Sequence, residues 1–292
     1  MVKGKSIVEV VGVFALISVF GWFSGAAYQQ WGLSLEARRW LGGVIFIATT
    51  LIVMAVTRRP WRDFGLTLKD WRLSLDIGMT GYVARFVPVG AVFVLALSGI
   101  TYRTWLGGVA LFLAEALGIW LLLTMLTRQE TRDSTGQQRR SKARTNFILL
   151  GGLLLLPIVL GIVLNRSPLT VASTVFWQLI VSGFGEEIRY RGYYQSRVNQ
   201  EFGKPYQIMG IRFGPGLIVA SILFGLIHVT QTFNPLIGQY DFAWPWGLFT
   251  LMGGFFFGLL REKTDDVIAC TIAHGGLDAV GESLAIVMGL PL

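Results

Sequence analysis

The sequence predicts an all-α polytopic membrane protein, a helical bundle of about eight to nine transmembrane helices. Three observations carry that prediction. Only 14% of the 292 residues are charged, against about 25% in a soluble domain. The mean hydropathy is +0.59. Apolar runs near 20 residues recur along the chain, the length that crosses a hydrocarbon core of about 30 Å. The net charge of +8 does not point to nucleic acid, because the basic residues lie in short connections between apolar runs, where membrane topology places them. A single cysteine, Cys270, excludes a disulfide framework.

The first apolar run, 7–28, follows Lys3 and Lys5. Ser24-Gly25-Ala26-Ala27 resembles a signal-peptide cleavage region, but the run is long enough to span, which favours an uncleaved first helix. The second run, 40–57, is followed by Arg58, Arg59, Arg62, Lys69 and Arg72, with Pro60, Trp61, Phe64 and Trp71 among them. That segment reads equally as an interfacial stretch on the headgroups or as a basic loop. The third and fourth runs are 75–97 and 105–127. A polar connection, 129–146, comes next and contains Arg132, Arg139, Arg140, Lys142 and Arg144. It reads as a mobile cytoplasmic linker. It divides one membrane domain into residues 1–146, the N-terminal helices with the basic linker, and residues 147–292, a helical core with all the candidate chemistry.

Five further runs follow, 147–164, 171–194, 216–232, 246–260 and 266–288. Basic residues cluster after the second, fourth, sixth and eighth runs, with Arg38 and Arg39 as the exception. The alternation places the N-terminus in the cytoplasm and the C-terminus outside. No internal repeat is present, which weakens an inverted-repeat transporter.

Charge inside these apolar runs needs a partner or a task. The sixth run ends in Gly183-Phe184-Gly185-Glu186-Glu187-Ile188-Arg189-Tyr190-Arg191. Glu187 and Arg191 are four apart and share a helix face, so one carboxylate is neutralised while Glu186 stays free. Gly183 and Gly185 remove bulk beside the acids and allow close helix packing. Arg189 reads as a cation reaching the membrane surface. The chain has two histidines, His228 and His274, both in apolar runs. Phe224 lies one turn before His228, and Asp278 one turn after His274, where a carboxylate can fix the ring's tautomer. Each feature alone also reads as packing or as an ordinary intramembrane ion pair. Together, Glu186, His228, His274 and Asp278 can activate water, stabilise an oxyanion or bind a metal.

Glu186-Glu187-x-x-x-Arg191, Phe224-x-x-x-His228 and His274-x-x-x-Asp278, in that order, resemble the three motifs of the CPBP family. This family comprises the CAAX-protease, Rce1-like and bacteriocin-processing (Abi) intramembrane proteases. The resemblance covers roughly residues 171–288. It implies an intramembrane endopeptidase acting on a membrane-associated protein or peptide, prenylated or leader-bearing, in a lipid bilayer. It further implies Glu186 as the base for water, assisted by His228, with His274 and residue 278 steadying the oxyanion and Glu187 with Arg191 holding the architecture. Position 278 is often Asn among the prenyl-protein proteases and is Asp here; an ionised Asp cannot donate to an oxyanion, so Asp278 orients His274 or stays protonated. A metal-free mechanism requiring no cofactor is the preferred reading. The alternative is zinc held by Glu186, His228 and His274, without the helical HExxH pairing of zinc proteases. The family's distribution suggests a prokaryotic plasma membrane. A proton-coupled transporter and a non-catalytic immunity or interaction protein are the competing functions.

Overall fold

The computed structural model describes residues 4–134 and 141–290. Six helices are long and apolar enough to cross a membrane: Lys5–Gln30, Leu35–Val56, Trp71–Leu97, Trp105–Gln129, Ala143–Val163 and Pro168–Phe202. Further apolar helices follow in the C-terminal third. The chain is an all-α polytopic integral membrane protein.

Helices α1 (Lys5–Gln30) and α2 (Leu35–Val56) form an antiparallel pair, and Ser34 caps α2 by accepting from the Ala37 amide at 3.2 Å. The basic segment after α2 dips into the protein. A short 3-10 turn, Trp61–Phe64, buries Phe64 against Tyr193. Trp61 and Trp71 remain exposed at its two ends.

The third span is broken into α3 (Trp71–Ala84) and α4 (Phe86–Leu97). Pro88 explains the break, since it offers no N–H to the Ala84 carbonyl and its ring crowds that turn. Helix α5 (Trp105–Ser134) runs further than the apolar pattern and takes up the start of the expected linker. Helix α6 (Ala143–Val163) takes up its end. Asp76 ties that end to α3 by accepting from the Lys142 amide at 3.1 Å and from Asn146 Nδ2 at 2.7 Å. The middle of the linker, 135–140 with Arg139 and Arg140, lies outside the described residues.

The sixth span is the longest of the apolar helices, Pro168–Phe202. It begins as α7 (Pro168–Trp177) and ends as α8 (Ser196–Phe202). Between them lie two π-helical stretches, Gln178–Gly185 and Ile188–Gln195. A hairpin of β1 (Tyr206–Ile208) and β2 (Ile211–Phe213), with Tyr206 opposite Phe213, turns the chain into α9 (Pro215–Val229). A smaller hairpin, β3 (Phe233–Asn234) with β4 (Gln239–Tyr240), leads to α10 (Trp244–Thr264). The last span is α11 (Ile268–Thr271), a π turn Ile272–Gly276, and α12 (Leu277–Met288).

The N-terminal helices do not stand apart from the C-terminal ones. Helix α3 packs on α11 and its π turn, and α5 packs on α10. Helix α9 lies along α10 and has only 15 residues. At about 1.5 Å per residue it is too short to cross a bilayer.

Candidate active site

The site is built at a helix crossing that only glycine permits. A Cβ on Gly183 would fall 2.6 Å from the Gly275 Cα, and a Cβ on Gly275 the same distance from the Gly183 Cα. Any side chain at either position would push the two π-helical segments apart. Their contact sets Glu186 and Glu187 beside His274. Helical stretches of π type commonly mark functional positions. Here one lies on each side of the Glu186–Glu187 pair and a third holds His274.

Glu187 is fully buried and committed to two cationic or donor groups. One oxygen, Oε1, accepts from Arg191 Nη1 at 3.2 Å and meets His274 Nδ1 at 2.8 Å. Arg191 also donates through Nη2 to the Gly254 carbonyl at 3.2 Å. Its guanidinium lies 4.4 Å from the Phe224 ring centre and 5.1 Å from that of Phe257. A buried ion pair of this kind is held by its surroundings as much as by its own attraction.

The His274 ring stacks on Phe257 with centroids 4.4 Å apart and planes inclined by 18°. A carboxylate can only accept unless protonated, so the Nδ1 contact places the Nδ1 proton toward Glu187. The other nitrogen, Nε2, faces Asp278 Oδ2 at 3.4 Å and Glu186 Oε2 at 4.0 Å. Glu186 and Asp278 keep 21% and 24% of their side-chain surface open, whereas Glu187 keeps none. The buried Oε2 of Glu186 has no hydrogen-bond partner among the described residues. Two adjacent acids thus have different environments, one locked and one available.

His228 stands on the far side of Phe224. Its ring centroid is 4.6 Å from that of Phe224, which in turn is 5.8 Å from His274. Nδ1 of His228 lies 2.7 Å from the Phe224 carbonyl. A carbonyl accepts only, so Nδ1–H donates and Nε2 of the neutral ring is left as an acceptor.

Residues 168–280 match the family model described as type II CAAX prenyl endopeptidase Rce1-like. This segment, less than half of the chain, is similar to the Rce1-like family. No curated protein and no solved structure matches the chain. The matched segment contains Glu186, Glu187, Arg191, His228, His274 and Asp278, and α1 to α6 lie outside it. The matched description is that of a CAAX-type endopeptidase, a peptide-bond hydrolase.

The structure corrects one reading of the EExxxR stretch. Arg189 does not reach the membrane surface; it is 3% exposed. Its Nε donates to Thr50 Oγ1 at 2.8 Å, and Nη2 to the Phe46 carbonyl at 2.5 Å and Thr49 Oγ1 at 3.0 Å. The chain continues as helix for eleven residues beyond Arg191, to Phe202, so position 189 is not at a helix end.

Two further groups near the site come from the N-terminal half. Arg85, at the break between α3 and α4, lies 3.9 Å from Glu115 of α5, and both are buried. The Arg85 guanidinium sits 4.7 Å from the Phe257 ring centre, on which His274 stacks. Glu115 is within electrostatic range of Asp278 and His274. A signal for both was available: Glu115 is the one charge in the run 105–127, and Arg85 shares the run 75–97 with Asp76 alone. Glu282, one turn after Asp278, faces Gln178. Among the described residues no group of three or more His, Cys, Asp and Glu side chains converges as metal ligands do. Of the three residues of the zinc alternative, His228 uses Nδ1 on a carbonyl.

Proposed function

We propose that this Rce1-like chain cleaves a membrane-associated protein or peptide, prenylated or leader-bearing, with a water activated by Glu186 and His228. The observation that carries the reading is the arrangement about His274. One nitrogen is engaged by the locked carboxylate Glu187, while the other faces the open carboxylates Glu186 and Asp278.

In the reaction, a water placed between Glu186 and His228 Nε2 directs its hydrogens at these two acceptors. Glu186 takes one proton as the water oxygen attacks the scissile carbonyl carbon. Negative charge then develops on the carbonyl oxygen. His274 meets two carboxylates at Nε2 favourably only when that nitrogen carries a proton, and its Nδ1–H stays on the ring and donates to Glu187. The ring is then an imidazolium that can share its Nε2–H with the oxyanion. Asp278 orients and charges that ring; ionised, it donates nothing itself. As the tetrahedral intermediate collapses, the C–N bond breaks and Glu186 returns its proton to the leaving amine. No step is routed through a metal or cofactor. The substrate reaches the site from the bilayer, in a prokaryotic plasma membrane with the N-terminus in the cytoplasm. The alternation of basic connections supports that orientation.

The test uses the full chain in liposomes with two probes, a farnesylated CAAX peptide and an unprenylated peptide with a hydrophobic leader. Glu186→Gln, His228→Ala and His274→Ala are expected to lower cleavage by about 10²–10⁴-fold while the protein still inserts. Cleavage by Glu186→Gln at the rate of the parent chain would overturn the assignment of the base.

A further inference from the structure

A cavity of about 610 Å³ lies on the other side of Tyr190 from the two histidines, enclosed by α1, α2, the Ile188–Gln195 segment and the β3–β4 hairpin. Its walls include Phe14, Phe46 and Ile227, and the half-exposed Phe20 of α1 is also a lining residue. In a bilayer the exposed part of the Phe20 ring faces lipid. The depth of the cavity holds an unusual charge. The three acceptors of Arg189 are neutral, namely two threonine hydroxyls and one carbonyl, and its guanidinium lies 3.3 Å from the Phe46 ring centre. Its Nη1 donates to no described residue, and it forms no ion pair among them. Glu186 is within electrostatic range but makes no contact with it. A second donor is close by: the hydroxyl of Tyr194, a fully buried cavity residue, has no partner among the described residues.

A guanidinium inside a membrane span is costly to hold without a counter-charge. Neutral acceptors satisfy its N–H groups but leave its charge uncompensated. We propose that this cavity binds an anionic amphiphile, its carboxylate or phosphate head on Arg189 and Tyr194 and its alkyl chain running between α1 and α2. The head accepts from Arg189 Nη1–H and Tyr194 O–H, two donors that the protein leaves unused. The walls suit an alkyl chain, and the partly exposed Phe20 puts one of them at the boundary with the bilayer. The space is real at the level of single atoms: a Cβ on Gly21 or Gly42, both lining residues, would meet nothing within 4 Å. The inference does not depend on the peptidase reading, because it uses none of Glu186, His228, His274 and Asp278. The two sites do share a wall, since the Tyr190 ring packs on Phe224 at 5.0 Å.

The experiment uses the purified full chain, delipidated in an uncharged maltoside detergent, with thermal unfolding and tryptophan fluorescence as readouts. Trp22 lines the cavity and serves as a local reporter. Oleate and dodecyl phosphate are expected to raise Tm and shift the fluorescence. Oleyl alcohol, which lacks the charge, and inorganic phosphate, which lacks the chain, are expected to do neither at the same concentration. Gly42→Leu fills the open space without touching Arg189 and is expected to weaken oleate binding at least about tenfold. Tyr194→Phe is expected to weaken it less, with unchanged Tm in the absence of amphiphile. An equal response to oleyl alcohol would reduce the cavity to a place for any chain. A response to inorganic phosphate alone would make it a free-anion site, and undiminished oleate binding by Gly42→Leu would place the amphiphile elsewhere. Each of these outcomes overturns the proposal.

Discussion

Arg189 and Arg191 are two residues apart on one helix, and both are buried. Arg191 faces the crossing with the last span and finds a carboxylate, Glu187, at 3.2 Å. Arg189 faces α1 and α2 and, among the described residues, finds only neutral oxygens. The same residue type in the same helix thus does two kinds of work. On one face charge is balanced within the chain, so the geometry of the acids and of His274 is fixed before any substrate arrives. On the other face charge is left over, and the cavity beside it is where a ligand would balance it. What a buried cation does is decided by the helix packed against it.

The largest expected effect follows from breaking the balanced side. Arg191→Leu leaves Glu187 buried without its cation, and removing one partner of a buried pair costs about 3–5 kcal/mol. Thermal unfolding in detergent should show the loss, and cleavage should vanish with it because Glu187 also holds His274. A Tm near that of the parent would mean that His274 alone satisfies Glu187. Gly183→Val is next. Its Cβ would lie 2.6 Å from the Gly275 Cα, so the crossing must widen. Overpacking of this kind costs about 1–3 kcal/mol. Cleavage should fall by more than stability does, by about 10²-fold for a displacement near 1 Å. Measuring both quantities on one preparation separates them; equal losses would show that the crossing only supports the fold.

Much of the balanced face was legible in the sequence. The spacing of Glu187 and Arg191, and of His274 and Asp278, is a local helical property, and the glycines beside them announced a close approach. The unbalanced face was not legible. Sequence shows that Arg189 follows an apolar run, which suggests a surface cation. Its actual fate depends on Thr49 and Thr50, 140 and 139 residues away, whose hydroxyls are brought over it by the packing of α2. The π-helical stretches are equally non-local, since they answer to the tight contact of Gly183 with Gly275. The break at Arg85 did have a local sign in Pro88. Glu115, the acid that Arg85 faces, was visible as a lone charge in an apolar run, but its proximity to His274 belongs to the assembled bundle.

The smallest effect is expected on the unbalanced side, and its size is what sharpens the comparison. Arg189→Gln keeps an amide donor for the hydroxyls of Thr49 and Thr50 or the Phe46 carbonyl and removes the charge. The lost hydrogen bonds cost about 1 kcal/mol each. Against this, the chain no longer buries a cation without a counter-charge, which stabilises the variant. The two contributions oppose each other, so unfolding in amphiphile-free detergent should change by about 1 kcal/mol or less, in either direction. Adding oleate should then separate the two proteins, by raising the Tm of the parent and leaving that of the variant where it was. A loss as large as that of Arg191→Leu in the absence of any amphiphile would mean that Arg189, too, is balanced within the chain, and the distinction between the two faces would fail.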